Sequence, residues 1–226
     1  MPSKPMFSIA ERLNAAKLAI ANSLADPEIQ SLVAGYGYLP EKLNEGMALY
    51  QAALAAVNAQ KAAEGAQLQA TQELESAEKT ARDAYQSLAK VSRAIFKNDK
   101  ARLTAFGLTG SAPLNTSGFI AGASALFDNA YTAPDLSQYG YDLTRLSSEK
   151  SKIMAFDLAN QKQEAAKGAA QQSTREQAAA LAVLDAWNAQ YIKIARVALR
   201  GKSELLEKIG VGVRSSKVVR KKKVPG

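Results

Sequence analysis

The chain has 226 residues, is 47% hydrophobic with only 7% aromatic residues, and carries a formal net charge of +8 at pH 7. It contains no cysteine and no histidine, which excludes disulfides, thiolate nucleophiles, thiolate or imidazole metal ligands and a histidine general base. Most enzyme mechanisms lose their commonest parts, although carboxylate and lysine chemistry remain possible. We therefore expect a protein that is not an enzyme and that binds no cofactor and no metal ion.

The N-terminal segment has no long apolar stretch of the kind found in signal peptides, and no run in the chain approaches the roughly 18 apolar residues of a membrane span. We therefore expect a cytoplasmic protein. The first predicted element is a short amphipathic helix at 9–22. A Pro-acid turn at 27–28 and a Tyr-Gly-Tyr motif at 36–38 follow it.

A very long helix is predicted from about Pro40 to Asn98, because alanine is abundant there and no proline interrupts the segment. Pro40 suits the first turn of a helix, where its missing N–H is not needed. At about 1.5 Å per residue the helix would span on the order of 90 Å. A single helix of that length is not stable in water from propensity alone, so we expect it to be packed along its length.

Apolar residues recur at three-four spacing along this helix and predict its packed face. Between two such stripes the sequence is rich in small and polar residues around Gly65. Small side chains would let two helices approach closely at this point, and the alternative interpretation is a kink or hinge. The first stripe is Leu43, Met47, Tyr50, Leu54 and Val57, and the second is Leu74, Ala77, Ala81, Ala84, Leu88, Val91 and Ile95.

The second half of the chain repeats the first. Shifted by 103 residues, the sequence shows 19 identities over positions 36–108, including a second Tyr-Gly-Tyr motif at 139–141 and Gly168 opposite Gly65. A four-residue gap extends the match upstream. Because an alanine-rich background would give roughly a third of these identities, we interpret the match as an internal duplication. It predicts a short helix at 117–129, a long helix from about Leu143 to Arg200, and a short helix closed by glycine after each long one.

These elements predict an all-α fold, an elongated antiparallel helical bundle or coiled coil with two very long helices, several short ones and an internal pseudo-twofold duplication. We expect residues 1–110 to form a first helical repeat and 111–213 a second, packed against the first in one elongated domain. Residues 214–226 would form a basic disordered tail. Long rods leave apolar surface that short helices cover only in part, so we also expect a homo-oligomer, with a dimer favoured.

The two Tyr-Gly-Tyr motifs and the related segments Lys-Val-Ser-Arg-Ala-Ile-Phe at 90–96 and Lys-Ile-Ala-Arg-Val-Ala-Leu at 193–199 carry a family resemblance. They resemble a group of uncharacterised bacterial all-helical proteins with the same duplicated plan. Members often end, as this chain does at 205–210, in Leu-Leu-Glu-Lys-Ile-Gly. The resemblance covers nearly the whole chain except the basic tail. It implies the all-helical fold and a bacterial source, and it implies no activity and no site residues.

Two features are candidate partner-binding sites. The tyrosines of the motifs (Tyr36, Tyr38, Tyr139 and Tyr141) could stack on a ligand or partner, although the simpler interpretation is a glycine turn whose tyrosines cap the core. The tail suits contact with nucleic acid or an anionic membrane, with a steep salt dependence, and the alternative is a solubilising end. Its basic residues are Arg214, Lys217, Arg220, Lys221, Lys222 and Lys223.

Three further features have simpler structural interpretations. Basic pairs near the ends of the long helices could hold phosphate, but such side chains more often cover an apolar stripe or pair with acids. Carboxylates at 73, 75, 78 and 176 could hold calcium or magnesium, but a solvated helix face explains them. The apolar segment 117–127 could enter a membrane, but its alignment with the first short helix favours a packed helix.

We therefore predict a non-enzymatic structural or interaction protein, a self-associating helical scaffold. One alternative is a nucleic-acid-associated protein that binds through the basic C-terminal tail. The other is a membrane- or granule-surface-associated helical protein, as phasins are, because the long helices are rich in alanine and glutamine.

Overall fold

A computed structural model of the chain describes residues 7–111 and 113–212. The described residues form helices joined by short connections and contain no strand, which confirms the all-α prediction. In chain order the elements are α1 (Ile9–Ala25), α2 (Pro27–Ala34), α3 (Pro40–Ile95), α4 (Lys100–Ala105), α5 (Thr116–Ala130), a 3-10 helix (Pro134–Tyr139), α6 (Leu143–Ala198) and α7 (Ser203–Lys208).

The helix boundaries follow the internal duplication. Helices α3 and α6 each have 56 residues, and they begin and end 103 positions apart, as do α4 and α7. The connections also match, because Gly37 and its counterpart Gly140 have φ of 85° and 81°, and Gly107 and Gly210 have φ of 66° and 78°. The predicted starts of both long helices are confirmed, and their ends lie two or three residues earlier than predicted.

The Pro-acid segments are helical, where the sequence predicted turns. In the first copy Asp26 caps α2 by accepting hydrogen bonds from the backbone N–H groups of Glu28 and Ile29. The counterpart of Asp26 in the second copy is Ala133, which makes no side-chain cap, and the segment after it forms a 3-10 helix. A side-chain acceptor at the N-cap satisfies backbone donors that otherwise lack partners. The first copy has such an acceptor in Asp26, and the second copy, with Ala133, does not.

The chain divides into two compact units that do not coincide with the sequence repeats. Unit 1 comprises residues 1–61 and 173–226, and unit 2 comprises residues 62–172. Unit 1 therefore contains α1, α2, the first part of α3, the last part of α6, and α7. Unit 2 contains the rest of α3, α4, α5, the 3-10 helix and the first part of α6. Each unit is thus built from pieces of both repeats.

In unit 1 the two long helices pack antiparallel. Near the start of α3, Gly46 lies against the ring of Trp187, and further along α3 the Gln177 amide donates to the side-chain oxygen of Gln60 at 3.4 Å. Residue numbers rise along one helix as they fall along the other, which defines the antiparallel direction. The buried apolar core consists of Leu13, Ala16, Ala19, Ile29, Val33, Tyr38, Leu43, Ala53, Val57, Leu181, Leu184, Tyr191, Ala195, Leu199, Leu205, Ile209 and Val211.

The first predicted stripe is wrong at one position. Leu54 is 37% exposed, whereas its neighbour Ala53 is completely buried. Large side chains from α6, Leu181 and Leu184, belong to the same cluster as Ala53. A small residue faces large partners here because the volume between the helices is already filled. The three-four pattern of large apolar residues predicted Leu54 as the buried residue, whereas the structure buries Ala53.

Unit 2 has a more aromatic core. The ring of Phe119, on α5, packs edge-on against Tyr85 of α3 at 5.4 Å between centroids and against Phe156 of α6 at 6.1 Å. These contacts join the three helices into one cluster. The second predicted stripe is confirmed, because Ala81, Ala84 and Leu88 are buried and Leu74, Ala77, Val91 and Ile95 pack against the same cluster.

Gly65 and Gly168 both lie within uninterrupted α-helix. A Cβ atom built at either position would meet no heavy atom within 4 Å. Neither glycine is therefore required by a close approach of another helix, and neither marks a break. Each is a helix-interior glycine that costs roughly 0.5–1 kcal/mol relative to alanine.

Candidate functional site

The two Tyr-Gly-Tyr turns have the same geometry. The inner tyrosines, Tyr38 and Tyr141, are buried at 3% and 4% exposure, and the outer ones, Tyr36 and Tyr139, are 52% and 57% exposed. The glycine between them has a positive φ that other residues rarely adopt. The turn therefore fixes one ring in the core and leaves the other on the surface. Only the outer tyrosines are placed to contact a partner.

A cation lies over each inner tyrosine. The ammonium group of Lys42 is 5.7 Å from the centre of the Tyr38 ring, and the guanidinium of its counterpart Arg145 is 4.3 Å from that of Tyr141. Burial raises the pKa of both phenols above the usual tyrosine value. Both rings therefore remain neutral at physiological pH, and the cations are held by the ring faces.

The surroundings of the inner tyrosine differ between the units. In unit 1, Tyr38 contacts the rings of Trp187 and Tyr191, at 5.9 and 4.9 Å between centroids. The Tyr191 hydroxyl is hydrogen-bonded to that of Ser23, and burial raises the pKa of Tyr191. The counterparts of Ser23 and Tyr191 in unit 2 are the buried residues Ala130 and Leu88. Unit 1 therefore has a polar pair in its core where unit 2 has an apolar one.

The six basic residues of the predicted tail, Arg214, Lys217, Arg220, Lys221, Lys222 and Lys223, lie outside the described residues. The partner site predicted there stays a prediction. Near the ends of the long helices, Lys90, Lys193 and Arg196 are exposed. Arg93 donates to the backbone oxygens of Leu108 and Gly110, both at 3.4 Å. That contact fastens the connection after α4, so a structural role explains Arg93.

The carboxylates singled out in the sequence lie on helix surfaces. Glu78 pairs with Arg82 one turn further along α3, and Glu73 accepts a hydrogen bond from Gln69 at 2.9 Å. Across 7–111 and 113–212, no three acidic side chains converge on a point that could hold a metal ion.

The apolar segment 117–127 forms most of α5, and its large side chains point into the core of unit 2. This confirms the prediction of a packed helix. Phe119 and Phe127, the two rings of the segment, are 2% and 0% exposed. No helix among the described residues is long and apolar enough to cross a bilayer.

A groove that the sequence analysis did not identify lies in unit 1. It runs between the start of α1 and the last third of α6, and it has polar walls formed by Glu11, Arg12, Asp185 and Asn188. Arg12 forms a salt bridge with Asp185 across the two helices. The signal in the sequence is the duplication itself, because the counterparts of Arg12 and Asn188 are Phe119 and Tyr85. The matched positions are therefore aromatic in unit 2 and polar in unit 1, which indicates that the two units differ in side-chain chemistry at this place.

Comparisons of the chain with protein-family models, with curated proteins and with solved structures found no match. The resemblance to duplicated bacterial all-helical proteins therefore stays a prediction. Support for a function comes from the geometry of the described residues.

Proposed function

We propose that the protein is a non-enzymatic interaction protein, a helical scaffold that self-associates through a surface element that it presents twice. The pair of Tyr-Gly-Tyr turns is the observation that supports this most directly. In each unit the turn buries one tyrosine and exposes more than half of the other. A ring presented by a fixed backbone loses little conformational freedom on binding, so the contact is efficient.

Each turn also presents an exposed leucine. Leu39 follows the first motif and is 53% exposed, and Leu143 follows the second and is 65% exposed. Single exposed apolar residues are common on protein surfaces and need no explanation. The two leucines are not counterparts in the repeat, but the exposed tyrosine recurs at matched positions before both long helices, which is less easily explained by chance. Tyrosine is also enriched at protein interfaces.

The test is the mass of the protein in solution. We expect the full-length chain to be a dimer or larger in sedimentation equilibrium at micromolar concentration. The double substitution Tyr36→Ser and Tyr139→Ser should shift the protein toward monomer, and each single substitution should give an intermediate effect. Both tyrosines lie on the surface, so the far-ultraviolet circular dichroism of the folded variant should stay unchanged.

Leu68→Ser is the matched control. Leu68 is 62% exposed on α3 and lies far along the chain from either turn, so its substitution should leave self-association intact. The proposal is wrong if the full-length chain is monomeric at all concentrations tested. It is also wrong if the double variant associates as strongly as the unmodified protein.

A second candidate function is binding of an anionic partner such as nucleic acid through the tail. Six of the eight excess positive charges lie in 214–226, so the rest of the chain carries only about +2. Neutralising about six phosphates would give a slope of about −5 for log K against log salt. A chain ending at residue 213 should lose DNA retardation at low salt, and absence of retardation by the full-length chain would refute this candidate.

A further inference from the structure

The groove in unit 1 has the size of a small-molecule site. Its volume is about 510 Å³, within the range of about 300–1,000 Å³ that is typical of ligand pockets. Apolar surface comes from Phe7, Ala15 and Ala189. Ligand pockets in general combine apolar walls with a few placed polar groups, and this groove has both.

In unit 2 the place that corresponds to the groove is filled by side chains. There Phe119, the counterpart of Arg12, is 2% exposed and packs on Tyr85 and Phe156. The guanidinium of Arg82 lies 4.4 Å from the centre of the Phe119 ring and covers it. Three rings and one cation therefore fill the space between the helices.

In unit 1 each of those rings is replaced by a polar or smaller residue. Phe119 corresponds to Arg12, Tyr85 to Asn188 and Phe156 to Ala53, while Asp185 stands in place of Arg82. The replacements at positions 12 and 188 remove aromatic volume from between α1 and α6. Ala53 lies on α3, where Leu181 and Leu184 occupy the space instead. The groove is therefore present in unit 1 because residues that are aromatic in unit 2 are polar there.

The polar groups of the groove favour a cationic ligand. Two carboxylates, Glu11 and Asp185, face one guanidinium, that of Arg12, so the walls carry a net charge of about −1. Glu11 accepts hydrogen bonds from the backbone N–H and hydroxyl of Ser8 at 2.7 and 2.8 Å, and the backbone contact lowers the pKa of Glu11. It is therefore ionised at neutral pH.

The Asn188 side chain adds an acceptor without a partner. Its amide oxygen is buried and has no hydrogen-bond partner among the described residues. A buried acceptor without a donor destabilises the fold, so such atoms are uncommon in native proteins. This oxygen has almost no accessible surface, so a ligand in the groove reaches it only after the amide group rotates.

We propose that this groove binds a small organic cation, a protonated primary amine attached to a compact aromatic or branched aliphatic group. The ammonium group donates to the groove's acceptors, and the apolar group packs on Phe7, Ala15 and Ala189. Charge complementarity selects the amine over an acid of the same shape. This site is separate from the Tyr-Gly-Tyr turns, and its test is independent of self-association.

The probe is phenethylammonium chloride, with sodium phenylacetate as the anion of similar shape, titrated into the full-length protein by calorimetry. We expect saturable binding of the amine with a dissociation constant of about 1 mM or lower, and binding of the acid at least about tenfold weaker. Glu11→Gln should weaken binding of the amine by about tenfold, because the walls lose the net negative charge that favours a cation while glutamine still caps α1.

Ala15→Leu tests the groove without changing its charges, because the added side chain occupies the apolar wall. Ala15 is exposed on α1, so the variant should fold normally and bind the amine at least about tenfold more weakly. Asn14→Leu is the matched control, since Asn14 is also exposed on α1 but does not line the groove. It should bind as the unmodified protein does.

Three results would overturn the proposal. The first is no saturable binding of the amine by the unmodified protein up to about 20 mM. The second is equal binding of the amine and the acid, which would remove the role of charge. The third is unchanged binding by Ala15→Leu, which would place the ligand elsewhere.

Discussion

Tyr38 and Tyr191 are neighbours in the core of unit 1, but their hydroxyls are in opposite situations. The Tyr38 hydroxyl is buried without a hydrogen-bond partner among the described residues, whereas that of Tyr191 is paired with Ser23. A buried polar group that lacks a partner destabilises the fold, and a paired one stabilises it modestly. The two tyrosines therefore predict opposite responses to removal of one oxygen.

We expect Tyr38→Phe to raise the free energy of unfolding by about 1 kcal/mol and Tyr191→Phe to lower it by about 1 kcal/mol. Urea unfolding at pH 7 measures both, and each variant is the control for the other because the same atom is deleted from the same cluster. An equal loss in both variants would show that the Tyr38 hydroxyl is satisfied in solution.

The buried tyrosines also predict instability at alkaline pH. Burial raises the pKa of Tyr38, Tyr141 and Tyr191 above the ordinary value, so the fold favours their neutral forms. Their contribution is fully present below the unfolded pKa near 10 and is lost as the pH rises through the folded values. The hydrogen bond to Asp26 raises the pKa of Lys208, so the stability that this lysine contributes is also lost as the pH rises.

Urea midpoints between pH 8 and 11.5 should therefore fall above about pH 10. Tyr38→Phe should show a smaller fall than the unmodified protein, since phenylalanine cannot ionise. The lysines are the same in both proteins, so the difference between the two curves isolates the phenol. If the midpoints of the two proteins fell identically with pH, ionisation of Tyr38 would not contribute to the alkaline instability.

At the scale of elements, glycine has two different roles in the long-helix regions. Gly37 adopts a φ of 85° in the turn that precedes α3, whereas Gly65 is an ordinary α-helical residue with open space around it. A side chain at Gly37 would strain the backbone by roughly 1–2 kcal/mol. A methyl group at Gly65 would relieve the entropic cost of glycine in a helix.

We expect Gly65→Ala to raise the unfolding free energy by about 0.5–1 kcal/mol, and its counterpart Gly168→Ala to do the same. Gly37→Ala should lower it by roughly 1–2 kcal/mol. Thermal and urea unfolding followed by circular dichroism would measure the three variants. Destabilisation by Gly65→Ala would mean that the glycine serves a bend or a close contact in solution.

The helices could be predicted from the sequence because their signals are local. A proline marks the start of α3, and Asp142 caps α6 by accepting from the backbone N–H of Arg145 at 2.8 Å. The choice of Ala53 over Leu54 could not be predicted, since it depends on the side chains that face it from α6. Gly46 is similar, because only the structure shows that a methyl group there would overlap the ring of Trp187.

The candidate sites also differ in how much of each could be predicted from local sequence. The outer tyrosines could be found as a repeated motif, but the sequence could not separate Tyr36 from Tyr38, which differ in burial. The groove depends on residues more than 170 positions apart, Arg12 and Asp185, so no local pattern reveals it. Only the mismatch of each residue with its counterpart in the other repeat points to it.

At the scale of the whole molecule, neither sequence repeat coincides with a compact unit. Unit 1 needs the last part of α6 from the second repeat, and unit 2 needs the last part of α3 from the first. A fragment limited to one repeat lacks the other long helix, which contributes to the core beside both halves of its own long helix. Helices of this kind depend on tertiary packing for their stability.

We therefore expect the fragments 1–111 and 113–212 to lack a cooperative unfolding transition as separate monomers. Mixing them in equal amounts should restore helical circular dichroism and shift the emission of Trp187, the single tryptophan of the chain, to shorter wavelength. The intact chain is the control. A monomeric 1–111 fragment that unfolds cooperatively would contradict this prediction.

The composition of the two units has an evolutionary consequence. A chain of one repeat could build such units only by exchanging halves with an identical copy, and the two resulting cores would then be the same by necessity. In one chain that contains both copies, each core can change alone. The cores do differ at matched positions, with Ser23 and Tyr191 in one and Ala130 and Leu88 in the other. A symmetric ancestor would carry two grooves or none, whereas the fused chain carries a polar groove in one unit and an aromatic cluster at the matching place in the other.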